Sequence, residues 1–552
     1  MELSAQALER ERHDAASRLV ARPRLALVAL LALALVIYVI PLGERSLWNQ
    51  DEARQALLAR ATLRHGVRLP VKVRDEAYLN KPPLYFWSVA LVSWPSGHVS
   101  QHTAAIPSVV AALVALAGTF AIARLLSGPV AGLVAVALVG TSPGFYLHSH
   151  ALLPDMALTA WLTWVLYFLL AAVRDETPSR AHLLGLYGCI AGAMWIKGLP
   201  ALLVVPAGAA AVLAARGRSG FAPLRPLLGF AVVAVLMLPW AIPYLLTPGH
   251  DSGQSTDAGT ALAWYLNRFD RVSSIPLTGG LISFLPWTLW GAVLVAWWRR
   301  APERVAYRPV VAWAAVTMVL IALAVQQRAR YVLPVYPVFA VLVAAAVTGI
   351  TARTRALMRV NTGIVLILAA LALVQATRLV LGRRAGHNAT QLTSMLDVSR
   401  EGPLLVLLVL VGLLLALHAL WTRGSPAAAV GWIAAAMACV LFVEGGLYPA
   451  RMNEQMPIEA FAEAMRPRLE KDVPILGFPD ANLAFDFYLD HPVQEVAKVN
   501  VIRATLDYPA SGNLLLRPST WHELRPHAHR SWCVMGQAGR GTRSVVMVGP
   551  CR

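Results

Sequence analysis

LALVALLALALVIYVIPLG, residues 25–43, decides the fold. It is a run of about 18 apolar residues, enough for a helix to cross the hydrocarbon core of a bilayer. Arg10, Arg12, Arg18, Arg22 and Arg24 precede it, and Glu44, Arg45 and Ser46 follow with no small-residue cleavage site. The pattern reads as a retained signal anchor, not a removed signal peptide. The arginine cluster holds the segment 1–24 in the cytoplasm, so residue 42 emerges on the far side.

The rest of the chain repeats this character. Its 552 residues are 57% hydrophobic and 14% charged, with a mean hydropathy of +0.57. Soluble domains carry about 25% charged residues, so a soluble enzyme, a disordered chain and a disulfide scaffold are excluded. The net charge of +18 comes mostly from arginine. The only lysines are Lys72, Lys81, Lys197, Lys471 and Lys498. Many arginines sit in short connections between apolar runs, the positive-inside pattern, and not on a nucleic-acid face.

Further spans are predicted at 104–123, 128–147, 153–173, 183–198, 200–215, 226–247, 278–298, 308–325, 331–350, 360–379, 403–421 and 428–448, about thirteen in all. Alternate connections collect Arg124, then Arg174 and Arg180, then Arg216, Arg218 and Arg225, then Arg299, Arg300, Arg304 and Arg308, then Arg353, Arg355 and Arg359, then Arg423. These belong on the cytoplasmic side. The stretch 183–215 reads either as one helix broken at Lys197-Gly198-Leu199-Pro200 or as a hairpin. Arginines on both flanks favour the hairpin, with Lys197 at its outer tip.

The expected architecture is therefore mainly α: a polytopic helical bundle over 25–448, with outer loops at 42–103 and 248–277. The tail 449–552 is less apolar, with short runs such as VPILGF, LAFDFYL and RSVVMVG, and reads as a small α/β domain on the outer, periplasmic side. Cys533 and Cys551 both fall there. They are either a disulfide or two free thiols, since spacing alone does not settle geometry. Cys189 and Cys439 lie in apolar spans and read as packing residues.

Chemistry-bearing residues concentrate at the outer boundary. Asp51 opens an amphipathic helix expected over 51–65, with apolar residues at 53, 56, 57, 58 and 61, suited to the membrane surface. Asp51 is either its N-cap or a functional carboxylate. Arg54, one turn on, is placed to pair with it or to bind an anion. In YLNKPPLYFW (78–87) the two prolines start a helix at a fixed point. Lys81 before them suits a phosphate head group, or snorkels beside Trp87. In HSHALLPDMALTAW (148–161), Asp155 is an acid at a membrane boundary, costly unless paired or functional. His148 and His150 beside it form a His-x-His that could join a divalent metal site. Arg328, Arg330, Tyr331 and Tyr336 in QQRARYVLPVYP (326–337), Arg268 and Arg271 in YLNRFDR, and Lys197 complete a cationic outer face. Such a face fits an enzyme for anionic, lipid-borne substrates. A transporter would place ionisable groups near mid-membrane.

Asp51-Glu52-Ala53-Arg54, Lys81-Pro82-Pro83-Leu84, Pro154-Asp155, Lys197-Gly198 and Arg330-Tyr331-Val332-Leu333-Pro334-Val335-Tyr336-Pro337 occur in that order. In this the chain resembles the bacterial membrane glycosyltransferases of the GT-C fold. Their best-known branch is the undecaprenyl-phosphate 4-amino-4-deoxy-arabinose:lipid A transferases, related to protein O-mannosyltransferases. The resemblance covers about residues 40–340. It implies an inverting transfer of aminoarabinose or a related monosaccharide from a polyprenyl-phosphate donor to a lipid A phosphate or another envelope acceptor, at the periplasmic face of the inner membrane. It implies Asp51 and Asp155 as the catalytic pair and Lys81, Arg268 and Tyr336 as ligands of the donor phosphate, with Arg54 and Tyr78 lining the same cavity. It implies lipid partners and no nucleic acid. The alternatives are transfer to protein hydroxyls and a non-catalytic transporter of lipid-linked sugar. Asn80 stands where the aminoarabinose branch usually has Glu, and Ala105 where the family commonly has Arg, so a metal bound through that Glu is not expected.

Overall fold

The computed structural model describes residues 22–47, 49–74, 76–78, 80–247, 274–323, 328–349, 356, 359–360, 362–364, 426–470, 472–478, 483–496, 499–508, 512–539 and 544–551. The expected spans 360–379 and 403–421 fall almost wholly outside them. Among the described residues, seven helices are long and apolar enough to cross a membrane, or nine if each of two bent pairs is one span. The chain is a multi-pass membrane protein, mainly helical, as its composition requires.

The chain divides into two compact units. One holds 1–40, 108–150 and 154–444; the other holds 41–107, 151–153 and 445–552. The first unit is the helical bundle. Helix Pro23–Val39 closes against Pro129–Gly140, where the Tyr38 hydroxyl donates to the Gly140 carbonyl at 2.8 Å. Helix Pro154–Arg174 packs along Arg180–Lys197 and also touches Val204–Arg216. At the arginine end, Arg216 donates to the Arg174 carbonyl at 2.9 Å and Arg174 to that of Leu125 at 2.8 Å. At the opposite end Lys197 meets Asp155. The stretch 183–215 is therefore a hairpin. The chain breaks at Gly198, whose φ of 65° is the left-handed conformation that glycine tolerates, and passes through a short 3-10 turn, Leu199–Leu203.

Two expected straight spans are broken. Over 128–147 the helix stops at Gly140 and resumes as Pro143–Ser149, bent by 72°. Pro143 cannot donate to the helix and drives Ser142 to an extended ψ of 133°. The Thr141 and Ser142 hydroxyls satisfy the carbonyls of Ala137 and Val139 at 2.6 and 2.9 Å. Over 278–298 the bend between Leu277–Ser283 and Trp287–Trp298 is 104°, at Leu285-Pro286. Apolar periodicity does not register either break, because both halves remain apolar.

The second unit joins the loop 41–107 to the C-terminal segment. Helix Gln50–His65 packs on Leu84–Ser93 and on the small hairpin of β1 (Val71–Val73) and β2 (Glu76–Tyr78). In the C-terminal segment, β3 (Ile475–Phe478), β4 (Val493–Glu495), β5 (Asn513–Leu516), β6 (Trp532–Ala538) and β7 (Val545–Pro550) form one sheet in the order β4-β3-β5-β7-β6. β3 runs parallel to β4 and β5, and β7 antiparallel to β5 and β6. Helices Val499–Leu506 and Pro518–Leu524 cover one face through Ile502, Leu506, Trp521 and Leu524. LAFDFYL forms a helix, Leu483–Leu489, with all seven side chains buried. An α/β segment is what the tail composition suggests.

Cys533 in β6 and Cys551 just past β7 are bridged, resolving the alternative the sequence leaves open. Alkylating denatured, unreduced protein should label Cys189 and Cys439, and reduction should expose two more thiols. Four reactive thiols before reduction would refute the bridge. Replacing both bridged cysteines by Ser should cost the sheet about 3 kcal/mol of stability.

Candidate active site

The first-loop helix begins at Gln50, and its cap is Asn49, whose side-chain oxygen accepts the Asp51 N–H at 2.9 Å. Asp51 is therefore not the N-cap. Its carboxylate is turned to Arg54, with Nη1 3.2 Å from Oδ1, and each side chain is about a quarter exposed. An i,i+3 pair at that exposure contributes only about 0.3–0.5 kcal/mol. It aligns the carboxylate without locking it.

Tyr78, at the end of β2, stands beside this pair. Burial pushes its phenol up to about 12. Arg54 and a hydrogen bond with Gln55 pull the other way, and Asp51 adds to the rise. The phenol stays protonated at neutral pH and serves as a hydrogen-bonding group rather than a base. Lys81, half-buried, follows three residues later in the turn that Pro82 and Pro83 stiffen before Leu84–Ser93.

Glu52 is the residue that sequence reasoning passed over. It is 1% exposed, forms an ion pair with Arg45, and accepts the Leu152 N–H at 3.1 Å. Its second oxygen is buried without a hydrogen-bond partner. The signal was present. The buried side of this helix is Glu52, Ala53, Gln55, Ala56, Leu58, Ala59 and Thr62, a helical stripe that includes three polar positions. An apolar count at 53, 56, 57, 58 and 61 does not detect them.

The bundle holds a second cluster. Asp155 lies in the first turn of Pro154–Arg174 and is 4% exposed. Lys197 Nζ donates to its Oδ1 at 2.6 Å, and Arg330 Nε lies 3.4 Å from its Oδ2. Lys197 also sits over the Tyr331 ring, 4.4 Å from its centre, with the Arg330 guanidinium 5.9 Å away. A buried carboxylate survives only with such partners. Three distant stretches of chain, at 155, 197 and 330–331, supply the group.

Other expected site residues are placed differently. Tyr336 is buried, donates to the Gly280 carbonyl at 3.1 Å and packs on Phe284. Arg328 is exposed at the start of the turn Ala329–Val335. His148 shares a hydrogen bond with the Gly144 carbonyl at 2.8 Å, and His150 is buried edge-on to Tyr146. Among the described residues no group of three or more His, Cys, Asp or Glu side chains is placed to hold a metal. Arg268 and Arg271 lie outside the described residues.

A polytopic bundle with two bent spans, a long loop after the first helix and a C-terminal α/β segment is the GT-C fold of membrane glycosyltransferases. ArnT from Cupriavidus metallidurans, solved bound to undecaprenyl phosphate, superposes with a TM-score of 0.78 over 94% of this chain and 97% of that one, at 20% identity.

The family model for dolichyl-phosphate-mannose-protein mannosyltransferases matches residues 80–242. The undecaprenyl phosphate-alpha-4-amino-4-deoxy-L-arabinose arabinosyl transferase of Pectobacterium carotovorum is 26% identical over 60% of this chain and 61% of its own length. The enzyme of the same name from Edwardsiella ictaluri is 29% identical over 64% of each. The chain thus spans about six tenths of the length of these curated relatives. The resemblance read from the motifs is borne out.

If Asp155 and Lys197 stabilise each other, a cycle of Asp155→Asn, Lys197→Met and the double variant should return a coupling of about 1–3 kcal/mol. Thermal unfolding in detergent measures it, and strictly additive losses would mean the contact contributes nothing of its own.

Proposed function

We propose that the chain is an inverting glycosyltransferase that moves a sugar from a polyprenyl-phosphate donor to an anionic envelope acceptor. Aminoarabinose or a related monosaccharide is the sugar, and a lipid A phosphate the acceptor. The observation that carries the reading is the cluster of Asp51, Arg54 and Tyr78 on the outer loop, three residues from the Lys81 turn. It belongs to a fold shared with a protein solved with undecaprenyl phosphate bound.

In this reading an acceptor oxygen attacks the anomeric carbon of the sugar. The bond from that carbon to the phosphate oxygen breaks, and its electron pair leaves with the polyprenyl phosphate. Negative charge grows on the leaving group, and Lys81 and Arg268 are the cations assigned to stabilise it. Arg54 and Tyr78 orient the same end of the donor. Asp51 steadies the positive charge developing on the sugar ring and takes the proton when the acceptor is a hydroxyl. A phosphate acceptor is already anionic and needs little help from a base.

Asp155 takes a narrower role than that of a second catalytic acid. Pairing with Lys197 and Arg330 suits it to fixing the cations beside it. Tyr336, donating to Gly280, is assigned to holding the bent segment 277–298. The disulfide supports an oxidising compartment for the C-terminal segment. With the arginine-rich connections cytoplasmic, this gives an inner-membrane protein whose chemistry faces the periplasm.

Asp51→Asn should lower sugar transfer from undecaprenyl-phosphate aminoarabinose by about 10²–10⁴-fold at unchanged folding. Lys81→Ala should act mainly by raising KM for the donor. Near-normal turnover of the Asp51 variant would remove that residue from the mechanism. A lipid A that gains no aminopentose mass when the protein is present would exclude it as acceptor.

A further inference from the structure

Asp486 is the feature this mechanism leaves unused. It lies on the buried helix Leu483–Leu489 of the C-terminal segment, 5% exposed. A carboxylate at that depth is retained only when its lone pairs are filled. Arg74 fills them as a fork, with Nε 2.7 Å from Oδ1 and Nη2 2.6 Å from Oδ2. The Val493 N–H, at the start of β4, adds a third bond at 3.1 Å. Planar two-point recognition of this kind is what arginine offers and lysine does not.

Arg74 itself occupies an unfavourable conformation. Its φ is 55°, left-handed, in the turn between β1 and β2. Glycine would adopt it without strain. A large side chain there is explained by what the side chain reaches.

The hairpin that this turn closes is only three residues on each side, with Val73 opposite Glu76 and Val71 opposite Tyr78. Two such strands have little stability of their own. One side is fixed by β1 on the helix Gln50–His65. The turn is fixed by Asp486. At the far end stands Tyr78, beside Asp51 and Arg54, with Lys81 three residues on. Neighbouring contacts are weaker candidates. Asp490, which meets Arg60 and Arg64, is half exposed, as is Glu495, 3.8 Å from Arg74.

We propose that Asp486, gripping Arg74, is a positioning residue that sets the hairpin and so the placement of Tyr78 and Lys81 toward the donor phosphate. The C-terminal segment then contributes to substrate binding without touching substrate. The inference rests on the donor-phosphate role given above to the Tyr78–Lys81 end.

Full-length protein in lipid nanodiscs tests it, using Arg74→Lys and Asp486→Asn, with Glu495→Gln as control. Two measurements are made on each: binding of undecaprenyl phosphate alone, and amide hydrogen exchange over 71–78. Both variants should exchange faster across the hairpin while helix Gln101–Ser127 keeps its protection. Both should bind undecaprenyl phosphate about 3–30-fold more weakly. The double variant should be no worse than the weaker single, and Glu495→Gln should match the wild type. Unchanged hairpin exchange in both singles overturns the inference. Loosened hairpins with undiminished binding overturn it too. If the wild type fails to bind undecaprenyl phosphate while the exchange effect appears, the hairpin anchor stands and the donor assignment falls. Should the single variants misfold, a shared loss of protection over helix Gln101–Ser127 would reveal it, and Arg74→Gln, which keeps a donor, replaces them.

Discussion

A membrane-embedded bundle must satisfy its own charges, because hydrocarbon offers nothing in exchange for water. The contact of Asp155 with Lys197 and Arg330 is where this constraint is met most sharply. One buried carboxylate holds the tip of the hairpin 180–216 and the entry to the span 329–348 against the start of 154–174. None of the three side chains is tolerable at that depth alone. Together they fix the ends of three spans that side-chain packing of Leu, Val and Ala would leave free to slide. The opposite end is tied by weaker means, arginine side chains on terminal carbonyls such as those of Leu125 and Arg174.

The second unit solves a different problem. A loop of about sixty residues with one small hairpin has too little apolar area to hold a shape alone. Its helix Gln50–His65 gains a partner in Leu483–Leu489. Arg60 donates to the Phe487 carbonyl at 2.8 Å and lies 4.1 Å from the centre of that ring. The Tyr488 hydroxyl accepts from the Leu47 N–H and from Gln101, both at 2.6 Å. Segments more than 380 residues apart in sequence thus act as one compact body. The C-terminal segment serves as a foundation for that loop.

The sequence displayed the spans because long apolar runs and alternating arginines are one-dimensional signals. It displayed Asp51, Lys81, Asp155, Lys197 and Arg330 because charge is conspicuous at a membrane boundary. The bends at Ser142-Pro143 and Leu285-Pro286 were less legible, since proline in an apolar helix is compatible with a kink, a break or an ordinary span. Glu52 was hidden by its neighbour: of two adjacent acids, only helix phase decides which one points inward. Arg74 and Asp486 were out of reach, because nothing local in VKVRDEAY or LAFDFYL tells that an arginine in one meets an aspartate in the other. Non-local ion pairs carry no spacing rule.

Environment then separates two acids that the sequence presents as equals. Asp155 lies between a lysine and an arginine and is almost fully buried. Such a carboxylate is held from both sides by its cations, and removing either would leave a buried charge uncompensated. Asp51 is a quarter exposed, paired within its own helix turn with Arg54 and bordered by a phenol that stays protonated. The role proposed for it, facing a cationic sugar ring, would disturb far less of the structure. When two carboxylates differ this much in surroundings they divide the work. In the mechanism proposed above, the buried one holds geometry and the accessible one meets the reacting atoms.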